Sequence, residues 1–178
     1  MNEATCSPFL PDWFKPSALL YMRHEAIDPQ FFVRNRERLL ENLKPNSLVV
    51  IHANDIFPTN ADGTMAFRQN NDLFYLTGVD QEETVLILSP DAVLEEDRAI
   101  LFVRETSEQI AIWEGEKLTK EQATEASGMK NIQWVDAFES AFRRLAIQAE
   151  NLCLHTNEYV AASEIGETHN RRLLRRCQ

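Results

Sequence analysis

The amino-acid sequence predicts an α/β fold in which a single mixed β-sheet is flanked by helices. Short apolar runs rich in β-branched residues, such as 47–52 and 84–88, are typical of buried strands. Longer segments between such runs carry apolar residues at helical spacing. Turn and cap residues, including Asp28-Pro29 and Gly128, separate the two kinds of segment. Because strands alternate with helices along the chain, we expect one sheet covered by helices.

The first predicted helix begins at Asp28-Pro29. Aspartate can accept hydrogen bonds from the unpaired backbone N–H groups of a first turn, and proline suits the first helical position. A proline-containing stop at 44–46 ends this helix. The apolar run 47–52 then predicts the first strand, and the turn-forming residues of 53–66 predict a loop.

The second half of the chain repeats this alternation. Thr119 opens a helix with Gln122 three residues later, which is the spacing of a capping box, and Gly128 closes it. Asp136 is predicted to cap a further helix that runs to Ala149. The remaining strands are predicted at 84–88, 99–103, 132–135 and 152–155.

Composition excludes several classes of protein. The 178 residues fit one ordinary domain, and the net charge of -10 disfavours nucleic acid or anionic membranes as partners. No apolar run reaches the ~20 residues that a membrane-spanning helix needs, and no signal peptide is expected. Three cysteines without a CxxC pair indicate reduced thiols in a cytoplasmic protein. The basic run at 171–176 predicts the solvated face of a terminal helix, with a docking patch as the alternative.

Motifs for catalysis are missing from the sequence. It contains no nucleophile elbow, phosphate-binding loop or dinucleotide-binding loop. None of the four histidines lies in a metal-binding spacing. His52 and His155 each end an apolar strand, which favours a structural role. We therefore predict no catalytic residue and no metal ligand in this chain.

The densest unusual segment is 67–78, in which polar residues lead directly into aromatic ones. Asn70, Asn71 and Asp72 can bond neighbouring backbone groups. Such a segment can form a ligand pocket or a polar brace for a buried turn. The residue types favour the brace, because no pair suited to proton transfer is present.

This segment resembles the signature of the N-terminal domain of Xaa-Pro aminopeptidases, which are relatives of prolidase and creatinase. The matching residues are Phe67, Arg68, Gln69, Asn70, Asp72, Tyr75, Thr77 and Gly78. An IWxG element follows as Ile112-Trp113-Glu114-Gly115. The resemblance implies the creatinase/prolidase N-terminal fold, with its ribonuclease H-like motif. It divides the chain into an N-terminal arm at 1–24, the domain at 25–160, and a helix or linker at 161–178 toward a catalytic domain.

In that family the C-terminal catalytic domain holds two metal ions, usually manganese. The resemblance implies a parent enzyme that removes the first residue from peptides with proline second, while this domain walls the active site and supports a dimer or tetramer. It implies substrate-rim roles for Trp113 and Asp62, for which a core aromatic and a turn residue are the alternatives. A non-catalytic binding or assembly module of a creatinase-like or prolidase-like relative is the alternative function.

Overall fold

The computed structural model describes residues 27–60, 63–107, 111, 115–155 and 169–177. Within these residues, five strands form one sheet in the order β4-β3-β2-β1-β5. The strands are β1 Ser47–His52, β2 Val85–Leu88, β3 Ala99–Val103, β4 Asn131–Trp134 and β5 Asn151–Leu154. The helices are α1 Pro29–Leu40, α2 Asn71–Thr77, α3 Lys120–Ser127, α4 Phe138–Ala146 and α5 His169–Cys177.

The sheet is mixed, as the sequence predicts. Strand β2 pairs antiparallel with both β1 and β3, whereas β5 pairs parallel with β1 and β4 pairs parallel with β3. Helices lie on both faces. This confirms the predicted class, a single mixed sheet flanked by helices.

The alternation of side chains along each strand divides the apolar residues into two cores. On β1, Val49 and Ile51 face one core while Leu48 and Val50 face the other. Helices α1, α2 and α3 cover the first core, and α4 and α5 cover the second. Both faces of the sheet are therefore shielded from solvent, which explains why the central strands are continuous apolar runs.

Two helix starts match the cap residues in the sequence. The Asp28 side chain accepts a hydrogen bond from the Gln30 backbone N–H at 2.9 Å. Thr119 and Gln122 form both bonds of a capping box at the start of α3. Local sequence determines these boundaries because each cap needs only residues within one turn of its own position.

The prediction that Asp136 caps the following helix is wrong. Asp136 lies inside a 3₁₀ turn, Val135–Ala137, and α4 begins at Phe138 without a side-chain cap. The ring of Phe138 packs edge-on against Phe102 at 5.6 Å and stacks with Phe142 at 5.8 Å. Aromatic packing in the second core thus determines where this helix begins, and α4 ends at Ala146 rather than at Ala149.

Helices α2 and α3 both end against α1, and Arg36 joins them. Its side chain donates to the Leu76 carbonyl oxygen at 2.6 Å and to the Ser127 carbonyl oxygen at 2.9 Å. These carbonyls lie at the negative ends of two helix dipoles, where a cation is favoured. Burial lowers the pKa of Arg36 to about 10, because the guanidinium has lost most of its water.

The two helix ends share one local design. The Thr77 hydroxyl donates to the Leu73 carbonyl at 2.8 Å and accepts from the Val79 N–H at 3.2 Å. Ser127 makes the same pair of bonds within α3 and its end. Each hydroxyl residue precedes a glycine with a φ of 69°. Residues that carry a Cβ atom rarely adopt this left-handed conformation.

Close packing adds a second reason for glycine at the end of α2. A Cβ atom on Gly78 would lie 2.3 Å from the Phe32 ring. That ring is 2 % exposed, and a Cβ atom so close to it would force the ring or the helix end to shift. Among the described residues, no helix is both long and apolar enough to span a membrane.

Candidate functional site

Strand directions place several chain connections at one edge of the sheet. Because β1 and β3 both run antiparallel to β2, their carboxyl ends lie together where β2 begins. Strands β5 and β4 run parallel to β1 and β3, so they end at the same edge. In open α/β sheets, ligands bind beyond the carboxyl ends of the strands. We call this the carboxyl edge, and it is the candidate functional region.

Both substrate-rim candidates belong to connections that begin at the carboxyl edge. The connection that contains Asp62 leaves β1 after His52, and the one that contains Trp113 leaves β3 after Val103. Asp62 and Trp113 themselves lie outside the described residues. The topology therefore starts both connections at one edge, while the positions of the two side chains remain a prediction.

The chain on either side of Asp62 folds back on itself. The Thr59 N–H donates to the Gly63 carbonyl at 2.8 Å, and the Met65 N–H donates to the Phe57 carbonyl at 2.8 Å. An isolated antiparallel bridge joins Pro58 and Thr64. The described residues 57–60 and 63–65 therefore run antiparallel to each other over this short stretch.

The chain after Trp113 is fastened to the turn that precedes β2. The Leu118 N–H donates to the Gln81 side-chain oxygen at 2.7 Å. Lys117 pairs with Glu82, and the two side chains are only 9 % and 15 % exposed. These contacts hold one end of the Trp113 connection at the carboxyl edge.

A cavity of about 780 Å³ lies at the carboxyl edge, between the sheet, α4 and α5. Charged side chains contribute much of its lining, namely Asp55, Glu83, Asp136, Glu139, Arg172 and Arg176. Helix α5 closes one side of it, and Leu173 of that helix is buried in the second core.

Ion pairs hold α5 over this cavity. Arg176 forms a two-pronged pair with Glu139, in which one nitrogen–oxygen distance is 2.8 Å. A longer contact of 3.8 Å joins Arg172 to Asp55. The hydrogen bond from Arg176 lowers the pKa of Glu139, and the same bond raises the pKa of Arg176. Part of the basic run at 171–176 is thus used within the domain.

The imidazole at the carboxyl edge has the environment of a packing residue. His52 is 7 % exposed, and its ring meets Phe138 edge-on at 5.3 Å. Across the part of the chain that the structure describes, no three His, Cys, Asp or Glu side chains gather as metal ligands would. We therefore derive no metal-dependent or proton-transfer step from these residues.

In the signature segment, Gln69 and Asn70 bond the surrounding backbone. The Gln69 amide donates to the carbonyls of Val79 at 3.1 Å and Gln81 at 2.8 Å, and its oxygen accepts from the Asn70 N–H at 2.8 Å. The Asn70 side-chain oxygen caps α2. It accepts hydrogen bonds from the backbone N–H groups of Asp72 at 2.9 Å and Leu73 at 3.2 Å. Both side chains are 6 % exposed, so they satisfy buried backbone groups that water cannot reach.

The other signature residues divide between core and surface. Thr77 and Gly78 end α2 as described above, and Phe67 packs partly buried against the first core. Asp72 supplies an acidic group to the first turn of α2. Arg68 and Tyr75 are exposed on the outer side of the segment.

Sequence reasoning did not identify the role of Arg36. The signal was present, since Arg36 occupies a position of the apolar stripe of α1, where a charged residue needs a buried partner. Its partners are carbonyl groups 40 and 91 residues away. No local pattern could have named them.

The fold is an α/β domain with one mixed sheet, and several of its chain connections begin at the carboxyl edge. The family model for the aminopeptidase P N-terminal domain matches residues 32–154. The chain therefore belongs to the aminopeptidase P N-terminal domain family.

Curated relatives agree with this assignment. The chain is 34% identical over 105 residues to Xaa-Pro aminopeptidase of Escherichia coli K12, covering 58% of this chain and 23% of that protein. It is also 34% identical over 105 residues to Xaa-Pro aminopeptidase 3 of Dictyostelium discoideum, covering 59% and 20%. The match thus spans less than a quarter of either relative.

Solved structures share the fold. Aminopeptidase PepP of Pseudomonas aeruginosa superposes with a TM-score of 0.69 at 22% identity, covering 84% of this chain and 32% of that one. At that identity the likeness concerns the fold alone. Aminopeptidase P of E. coli, solved with the inhibitor Pro-Leu, gives a TM-score of 0.64 at 27% identity, covering 78% and 31%.

Proposed function

We propose that this chain is the N-terminal domain of a manganese-dependent Xaa-Pro aminopeptidase. The parent enzyme would remove the first residue from peptides that carry proline second. The family match over 32–154 and the two Xaa-Pro aminopeptidase relatives support this proposal. On this proposal the domain occupies 25–160, and the chain after 160 leads toward a catalytic domain of the same polypeptide.

The proposed role of the domain is to wall the active site. The observation that carries it is the common origin of the Asp62 and Trp113 connections at the carboxyl edge. An indole plane at the rim would pack against a substrate proline ring, because aromatic faces bury large apolar areas. A carboxylate at the rim would bind the cationic amino terminus of a peptide by a charge-assisted hydrogen bond.

The hydrolytic chemistry would come from the catalytic domain. The residues of that domain would hold the manganese ions, which would supply Lewis-acid chemistry for peptide hydrolysis. On this proposal the described residues shape access to that centre, and the parent assembles as a cytoplasmic dimer or tetramer.

Kinetics of the complete enzyme test the rim role. In the full-length polypeptide, Trp113→Ala should lower kcat/KM for Xaa-Pro peptides about tenfold or more and leave the melting temperature nearly unchanged. Trp134→Ala is the matched control, because Trp134 packs against the first core. The Lys120 ammonium also lies over its ring, with Nζ 4.6 Å from the ring centroid. The control should lower the melting temperature and spare kcat/KM. A large loss of stability in Trp113→Ala with normal kinetics would show that Trp113 is a core aromatic.

A companion experiment tests Asp62. Asp62→Asn keeps the size of the side chain and removes its charge, so it should raise KM for peptides with a free amino terminus. Peptides with an acetylated amino terminus lack the cation and should bind equally to both enzymes. An equal effect on both kinds of peptide would leave Asp62 as a turn residue.

The alternative is a binding or assembly module without peptidase activity. One observation keeps it open: the matched region is less than a quarter of each curated relative, so the comparison concerns no catalytic residue. Incubation of the full-length polypeptide with manganese and Xaa-Pro-Xaa peptides distinguishes the two functions. Intact peptides after incubation with a folded, oligomeric protein would establish the module.

A further inference from the structure

A groove lined by aromatic side chains lies beside α1 and α2. Its volume is about 570 Å³. Its apolar lining comprises Ile27, Phe31, Phe32, Phe74 and Tyr75. Arg68 and Asp80 also line it and bring one charge of each sign. We call this surface the aromatic groove.

Three of the large apolar side chains that line the aromatic groove are partly exposed to solvent. Ile27 is 41 % exposed, Phe31 40 % and Tyr75 48 %. Phe31 and Tyr75 are in edge-on contact at a centroid distance of 6.1 Å, and each ring still has about two fifths or more of its surface exposed. Exposed large apolar side chains that line a common groove are typical of surfaces that bind another apolar group.

We propose that the N-terminal arm, residues 1–24, covers the aromatic groove of its own domain. Only residues 25 and 26 separate the end of the arm from Ile27, which itself lines the groove. The occupant is therefore already tethered at the rim. The family match begins at residue 32, so the arm lies outside the matched range.

The composition of the arm fits an aromatic surface. Among its 24 residues are Trp13, Phe14, Leu19 and Leu20, together with three prolines. Large apolar side chains gain the most free energy from burial, and proline lowers the conformational entropy that is lost on docking.

Chain length and charge agree with docking within one molecule. Leu20 is seven residues from Ile27, and an extended chain spans up to about 23 Å over that distance. Tethering gives the arm a millimolar effective concentration, which a second copy in dilute solution cannot match. In addition, Asp12 lies next to the aromatic pair of the arm and has the charge opposite to that of Arg68 at the groove.

Fluorescence of Trp13 tests this proposal in the complete 178-residue chain. A Trp113→Phe, Trp134→Phe background leaves Trp13 as the single tryptophan. If the arm docks, Trp13 should emit at shorter wavelength than free tryptophan, and iodide should quench it several-fold less. Phe31→Ser and Tyr75→Ser should each restore quenching toward the value for free tryptophan.

Control variants separate docking from general loss of structure. Val93→Ser and Ile147→Ser remove apolar side chains that are 83 % and 87 % exposed outside the aromatic groove, so they should leave quenching unchanged. Phe14→Ser changes only the arm, and it should increase quenching while the far-ultraviolet circular dichroism stays constant. This arm variant keeps the test decisive even if a groove variant fails to fold.

Three results would overturn the proposal. Quenching of Trp13 equal to that of free tryptophan in the background chain would show that the arm is undocked. Protection that survives both groove substitutions would place the arm elsewhere. Protection that disappears on dilution, together with a dimer in sedimentation, would assign the aromatic groove to a second copy. None of these results depends on peptidase activity, so the proposal stands or falls separately from the enzymatic one.

Discussion

Replacing Arg36 with methionine removes the side chain that joins the ends of α2 and α3. Methionine keeps most of the apolar stem and lacks the guanidinium. Two buried carbonyls, those of Leu76 and Ser127, would then lose donors that now lie 2.6 and 2.9 Å away. Arg36 is 7 % exposed, so water cannot easily replace these donors.

The size of the effect follows from these two hydrogen bonds. A hydrogen bond from a charged donor contributes ~1.5–3 kcal/mol to the free energy of unfolding. Loss of the guanidinium also removes a desolvation cost, which is visible in the lowered pKa of Arg36. We therefore expect a net loss of about 3 kcal/mol from the combined effects. For a domain of this size, that corresponds to a fall in melting temperature of about 6–12 °C.

Urea unfolding, followed by circular dichroism, measures this loss directly. Arg34→Met is the matched control, since Arg34 is an exposed arginine of the same helix. It should change the free energy of unfolding by less than ~0.5 kcal/mol. Arg36→Lys should lie between the two, because an ammonium group cannot reproduce the fork that reaches both carbonyls. If Arg36→Met proved as mild as Arg34→Met, the joining role assigned to Arg36 would be wrong.

Three further predictions concern the signature and α5. Gly78→Ala should lower the free energy of unfolding, measured by calorimetry, by ~2–4 kcal/mol, because it adds both backbone strain and overpacking. Gly115 has a φ of 83° and no atom within 4 Å of an added Cβ, so Gly115→Ala should show the backbone strain alone. Asn70→Ala should lower the free energy of unfolding by ~1 kcal/mol, and Asn70→Asp should recover most of it in urea titrations. The Glu139–Arg176 pair should stabilise α5 above the ordinary glutamate pKa of 4.5. That stability should fade as the pH falls through the lowered pKa of Glu139. Glu139→Gln should remove this acid dependence in circular dichroism, with an effect below ~1 kcal/mol because the side chain is 47 % exposed.

Each of these three predictions has a contrary outcome. Equal losses in the two glycine variants would mean that the close approach to the Phe32 ring is relieved at no cost. An unchanged Asn70→Ala would show that another group caps α2. An acid transition that persists in Glu139→Gln would assign the pH dependence to another carboxylate.

Polar side chains at the carboxyl edge and in the signature segment bind other groups of the same domain. At the carboxyl edge, Arg176 pairs with Glu139 and Lys117 pairs with Glu82. In the signature, Gln69 and Asn70 bond buried backbone. These contacts hold the base from which the Asp62 and Trp113 connections leave the sheet, and the proposed wall of an active site would need such a base.

Local signals in the sequence were sufficient for the strands and for several helix ends. The run 47–52 is β1 at the predicted bounds, and 99–103 is β3. The caps at Asp28 and Thr119 form as predicted, because a cap bonds N–H groups within three residues of itself. The prediction failed at Asp136, where a favourable capping residue lost to the packing of Phe138.

The sequence by itself determined the class of fold, the strands and the signature, since apolar periodicity and cap chemistry act over a few residues. Only the tertiary structure decided that Arg36 joins two helix ends, that α5 is fastened by Glu139, and that the aromatic groove stays uncovered by the described residues. The physical reason is distance along the chain. Such contacts join residues 37 to 91 positions apart, and their partners are fixed by how the layers pack rather than by any local pattern.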